Sequence, residues 1–61
     1  MTGQELAALP AGSIVKLDDE EGEIIQAGQL VQVLWPSSGI SNIIDTNSKA
    51  WQYFIQLLEA E

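Results

Sequence analysis

Five carboxylates in six positions, Asp18-Asp19-Glu20-Glu21-Gly22-Glu23, are the densest group of ionisable side chains in this chain. Two carboxylates can divide general-acid and general-base work, but only where different environments separate their pKa values. A run of like charges in one exposed loop offers no such separation. A hard cation would accept the same oxygens, yet the alternating ligand spacing and the downstream bidentate glutamate of a calcium loop are missing. The plainer reading is a solvated turn that keeps the protein soluble, with Gly22 supplying the bend. There is no histidine and no cysteine, which removes the usual nucleophile-base pairs, zinc staples and disulfides together. No catalytic residue, metal ligand or cofactor is expected, and the chain does not read as an enzyme.

The other residues able to do specific chemistry are aromatic: Trp35, Trp51, Tyr53 and Phe54. Trp35 falls in phase with Val31 and Val33 at a period of two, which marks it as core. In a strand, Trp51 and Tyr53 would share one face beside a loop of Asn47 and Ser48, as an exposed pair. An acidic loop next to aromatic side chains suits recognition of arginine beside a proline-rich segment. Asp18, Asp19, Glu20, Glu21, Trp51 and Tyr53 are therefore the candidate partner-binding residues.

These side chains need a scaffold, and its centre is residues 30–35, Leu30-Val31-Gln32-Val33-Leu34-Trp35. Val31, Val33 and Trp35 form the face to be buried, while Gln32 sits in the middle of the opposite one. Gly28 opens this strand, Pro36 closes it, and Ser37-Ser38-Gly39 supplies a turn in which Gly39 is free to adopt positive φ. Before it, Thr2 and Glu5 have the spacing of a capping box, Pro10 denies Leu9 the helical region, and residues 13–17 read as a first strand. Residues 23–27 read as a second strand in tight antiparallel connection with the central one, and residues 40–44 as a fourth.

The last stretch reads two ways. Trp51, Phe54, Ile55 and Leu58 fall at i, i+3, i+4 and i+7, the pattern of an amphipathic helix capped by Asn47 or Ser48 over residues 48–60. Trp51, Tyr53 and Phe54 also favour strands, and residues 56–59 would then turn the chain into a final edge strand. The expected fold is mainly β, a small barrel of about five antiparallel strands over residues 13–59, preceded by an arm or short helical turn at residues 1–10. The alternative is α+β, a four-stranded antiparallel sheet with a C-terminal amphipathic helix. Either way residues 1–61 make a single small domain, and at this size stability is marginal, with about 3–5 kcal/mol from the core.

Residues 9–15, Leu9-Pro10-Ala11-Gly12-Ser13-Ile14-Val15, followed by a charged loop, Gly22-Glu23-Ile24-Ile25, Val31-Gln32-Val33-Leu34-Trp35, a glycine turn and the closing aromatic segment, resemble the SH3-like barrel superfamily. The resemblance covers residues 9–61 and implies a non-catalytic protein–protein interaction module. The layout also resembles small barrel subunits of photosynthetic electron-transfer complexes, which implies an accessory-subunit role. Those subunits use basic residues to help dock acidic ferredoxin, whereas this chain has only Lys16 and Lys49, and no residue role carries over.

Nine acidic residues against two lysines give a net charge of −7. Such a chain repels phosphate backbones and anionic lipid, so nucleic acid is not an expected partner, and a basic or arginine-containing protein surface is. A self-assembling homodimer joined along an apolar edge is a second reading, and an acidic mimic of nucleic acid a third. Residues 24–44 carry no formal charge, but glutamines, serines, Pro36 and Asn42 interrupt them, so no bilayer span is expected. No basic-then-apolar leader is visible, and a cytoplasmic location is the expectation.

Overall fold

A computed structural model describes all 61 residues. The chain runs α1 (Gly3–Ala8), β1 (Ile14–Leu17), β2 (Glu20–Gln26), β3 (Leu30–Trp35), β4 (Ile40–Asp45), α2 (Lys49–Leu57) and β5 (Glu59–Ala60). All five strands lie in one antiparallel sheet of order β4-β3-β2-β1-β5. Strand residues make up 41% of the chain and helix 25%, so the fold is mainly β with a substantial terminal helix.

α1 starts where local chemistry dictates. The Thr2 hydroxyl accepts the Glu5 N–H at 3.1 Å and the Glu5 carboxylate accepts the Thr2 N–H at 3.0 Å, a complete capping box. The helix stops at Ala8 because Pro10 forces Leu9 into the extended region, with ψ at 134°. β3 has the bounds its alternation predicts, and Val31, Val33 and Trp35 are all buried. It pairs with β4 in unbroken register from Leu30↔Asp45 to Trp35↔Ile40, across a turn in which Gly39 has φ of +71°. Pairing with β2 skips Ile25, which bulges out and is exposed.

Two expectations need correction. The acidic run is not a loop: only Asp18 and Asp19 turn the chain, Asp18 at φ of +53°, and Glu20 through Glu23 already belong to β2. A strand tolerates this because alternation sends Glu21 and Glu23 to the solvent side while Gly22 faces the core. Gly22 is thus no bend. It sits opposite Val15, and a Cβ there would lie 2.6 Å from Val33 Cγ1 and 2.9 Å from Trp35 Cε3 and Cζ3. The indole occupies the room that a side chain would take.

The second correction concerns the closing segment. Trp51, Tyr53 and Phe54 are helical, in α2, whose Ser48 cap accepts the Ala50 N–H at 3.2 Å. Helix and final strand are both present, because the helix ends at Leu57 and residues 59–60 then pair with β1 as Val15↔Ala60 and Lys16↔Glu59. The core is one cluster: Val15, Ile24, Val31, Val33, Trp35 and Ile44 from the sheet, Leu6 from α1, Ile55 from α2, and Leu58 directly after it. The amine of Met1 donates to the Leu58 carbonyl at 2.8 Å and the Ile55 carbonyl at 3.3 Å, tying the start of α1 to the end of α2. No helix is long and apolar enough to cross a membrane.

Candidate functional site

Where β1, the β3–β4 turn and α2 converge, a shallow groove of about 260 Å³ opens between Leu17, Glu20, Trp35, Ser38, Ile40, Asn42 and Phe54. Its floor is the end of the buried β3 row. Trp35 is only 4% exposed, and its indole N–H donates to Asn42 Oδ1 at 2.8 Å, which fixes the ring across β3 and β4. That bond satisfies the one polar atom of the indole and leaves ring carbon for the groove. Leu17 is the last residue of β1 and half-buried. Phe54 comes from α2 and is held edge-on by Trp51, ring centres 5.5 Å apart at 76°. Ile40, the first residue of β4, is 57% exposed and forms the outer wall.

Glu20 gives this apolar groove its charge. It pairs with Leu17 directly after the two-residue turn, and strand alternation puts it on the same side as Gly22 and Ile24, beyond the end of the core. Asp18 and Asp19, both exposed, occupy the adjoining turn. No lysine lines the groove. The arrangement can take an apolar side chain against Trp35, Leu17 and Phe54 and a cation at Glu20. It contains no nucleophile and base in contact and no cluster of His, Cys, Asp or Glu fit to hold a metal.

The structure divides the residues that the sequence grouped. Asp18, Asp19 and Glu20 stay together at one end of the sheet. Glu21 points to the other side, opposite Lys16 and beside Glu61, whose carboxyl is pushed above its ordinary value by the Glu21 side chain. Trp51 and Tyr53 do not form a pair, since two residues apart in a helix is about 200° of rotation. Trp51 packs half-buried against the core, and Tyr53 stands 75% exposed on the opposite side of α2. The aromatic that reaches the groove is Phe54, one helical turn from Trp51, and the i, i+3 spacing is the signal that identifies it. Leu17, Ile40 and Asn42 carry no such signal, because their proximity comes from strand pairing.

A second, larger hollow of about 410 Å³ lies between α1 and the turns at Gly28 and Asn47. Its walls are Gln4, Gln29, Thr46 and backbone, with Ala7 the single apolar side chain and no ionisable group, so it offers hydrogen bonds alone.

No protein-family model matches the chain, and no curated protein or solved structure matches it significantly.

Proposed function

We propose that this chain is a non-catalytic interaction module, an accessory domain that docks onto a basic or arginine-containing segment of another protein. The observation that carries the reading is the Glu20 carboxylate at the rim of a groove floored by Trp35, Leu17 and Phe54, with Asp18 and Asp19 beside it in a chain of net charge −7. An arginine fits this setting on two counts. Its guanidinium meets a carboxylate in bidentate geometry, and its stem and plane lie well against apolar and aromatic carbon. The remaining acidic charge raises the encounter rate with a basic partner. Pairing of the last strand with the first, directly after a helix, supports an SH3-like barrel as the setting of this groove.

The test is binding of short peptides that place arginine next to proline or leucine, followed by fluorescence anisotropy of a labelled peptide. Arginine peptides bind, and replacing the arginine by citrulline, which keeps the shape and removes the charge, weakens binding strongly. Glu20→Gln weakens it about fivefold, as expected of a rim charge pair worth about 1 kcal/mol. Equal binding of arginine and citrulline peptides defeats the proposal.

A further inference from the structure

The sheet has two edges, and they differ in kind. β5 contributes two residues, one of them Glu59, and Glu61 follows it. β4 is six residues long and has no charge from Ile40 to Ile44. It also has no proline, lysine or bulge, the devices that normally keep a free edge from pairing.

The ladder shows which groups of β4 are unused. The Thr46 N–H donates to the Gln29 carbonyl at 2.9 Å. Alternation from that bond along the β3–β4 register makes Ile44, Asn42 and Ile40 the residues bonded to β3. Ser41, Ile43 and Asp45 therefore turn their backbone N–H and C=O groups outward. One of these is occupied, since the Asp45 carbonyl accepts the Ser48 N–H at 3.0 Å. The Ile43 side chain is 62% exposed, and Leu30 and Ile25, 48% and 44% exposed, extend the same apolar surface over β3 and β2.

We infer that β4 pairs antiparallel with β4 of a second copy of this chain, in a twofold register centred on Ile43. Among the registers that centre on an outward-facing residue, charge and geometry select this one. Centred on Ile43, each Ile43 exchanges both backbone bonds with its counterpart, and the Asp45 N–H of each copy donates to the Ser41 carbonyl of the other. Each Ser41 hydroxyl then faces the Asp45 carboxylate of the other copy, a charge-assisted hydrogen bond. A register centred on Asp45 sets the two carboxylates against each other, and one centred on Ser41 runs the ladder into the Pro36 turn. A second copy is the occupant rather than a basic strand because the edge is uncharged from Ile40 to Ile44 and its one carboxylate, Asp45, lies at the strand end. It is also the one strand along which two chains of −7 can approach without placing carboxylates against one another, and a twofold closes on itself without forming a filament.

Sedimentation of the full chain over a dilution series tests this. A concentration-dependent dimer is expected that tightens as salt screens the −7 charges, the opposite salt response from capture of a basic peptide. Ile43→Lys, at an exposed position, sets like charges opposite each other and weakens the dimer roughly tenfold or more, with unchanged far-UV circular dichroism. The chain has no cysteine, so Ile43→Cys can oxidise only against its own counterpart. It gives a disulfide-linked dimer, whereas Leu57→Cys on α2, also exposed, does not. A monomer at millimolar concentration and high salt overturns the inference. So does a dimer that cross-links equally through Leu57→Cys or survives a folded Ile43→Lys variant.

Discussion

At the scale of single residues, the position on which most depends is Gly22. Glycine in a strand ordinarily costs about 0.5–1 kcal/mol relative to alanine, so its replacement should stabilise β2. Here the added Cβ would press 2.6 Å from Val33 and 2.9 Å from the Trp35 ring, and overpacking costs about 1–3 kcal/mol. Sterics win. Gly22→Ala lowers the urea midpoint despite its better strand propensity, and the displaced indole shifts the tryptophan emission. A second residue-scale effect is electrostatic. The Glu21 side chain, the largest influence on Glu61, raises its pKa, so the folded state holds that proton more tightly than the unfolded chain does. The contribution is present at low pH and is lost as pH rises through the raised value. Glu61→Gln, which keeps a donor toward Glu21 at every pH, raises stability at neutral pH relative to the parent chain. The difference closes as the solution is acidified, measured by thermal unfolding at a series of pH values.

At the scale of elements, the two helices are set by their first residues and their buried rows. The Thr2 hydroxyl holds the Glu5 N–H, and Thr2→Ala costs about 1 kcal/mol of stability by denaturant unfolding. Hydrogen bonds from Thr2 hold the Glu5 carboxyl below its ordinary value, so this cap is intact at neutral pH and fades as pH falls through the acidic range. α2 resolves a conflict in its own sequence. Trp51, Tyr53 and Phe54 have strand propensity, but a strand would place Phe54 and Ile55 on opposite faces, whereas a helix delivers Ile55 to the core and Trp51 and Phe54 against it. Burying an aliphatic side chain contributes about 1.5–3 kcal/mol, more than the differences in local preference.

At the scale of the molecule, a chain of 61 residues with a nine-residue core has little stability to lose. Placing acidic charge on the Glu20 rim and on the outward row of β2, with β4 uncharged from Ile40 to Ile44, separates two kinds of surface. If the groove captures a basic partner as proposed, the association is electrostatic, and raising salt from low to near-physiological strength weakens it. Stopped-flow mixing locates the loss in the association rate. A salt-independent rate would contradict a charge-steered encounter.

What the sequence determined by itself is whatever a few neighbouring residues decide. The alternation of Val31, Val33 and Trp35 placed β3 and its buried face, Thr2 and Glu5 placed a helix start, Pro10 placed its end, and Gly39 placed a turn. The absence of histidine and cysteine narrowed the chemistry before any fold was known. Tertiary structure alone decided where Gly22 faces, because the Val33 and Trp35 side chains arriving from β3 make a glycine necessary there. It decided that Glu20, Trp35 and Phe54, from three different elements, converge on one groove. It also decided that two residues after α2 pair with β1. These outcomes depend on groups far apart in the chain, and a packed interior allows only one arrangement of them.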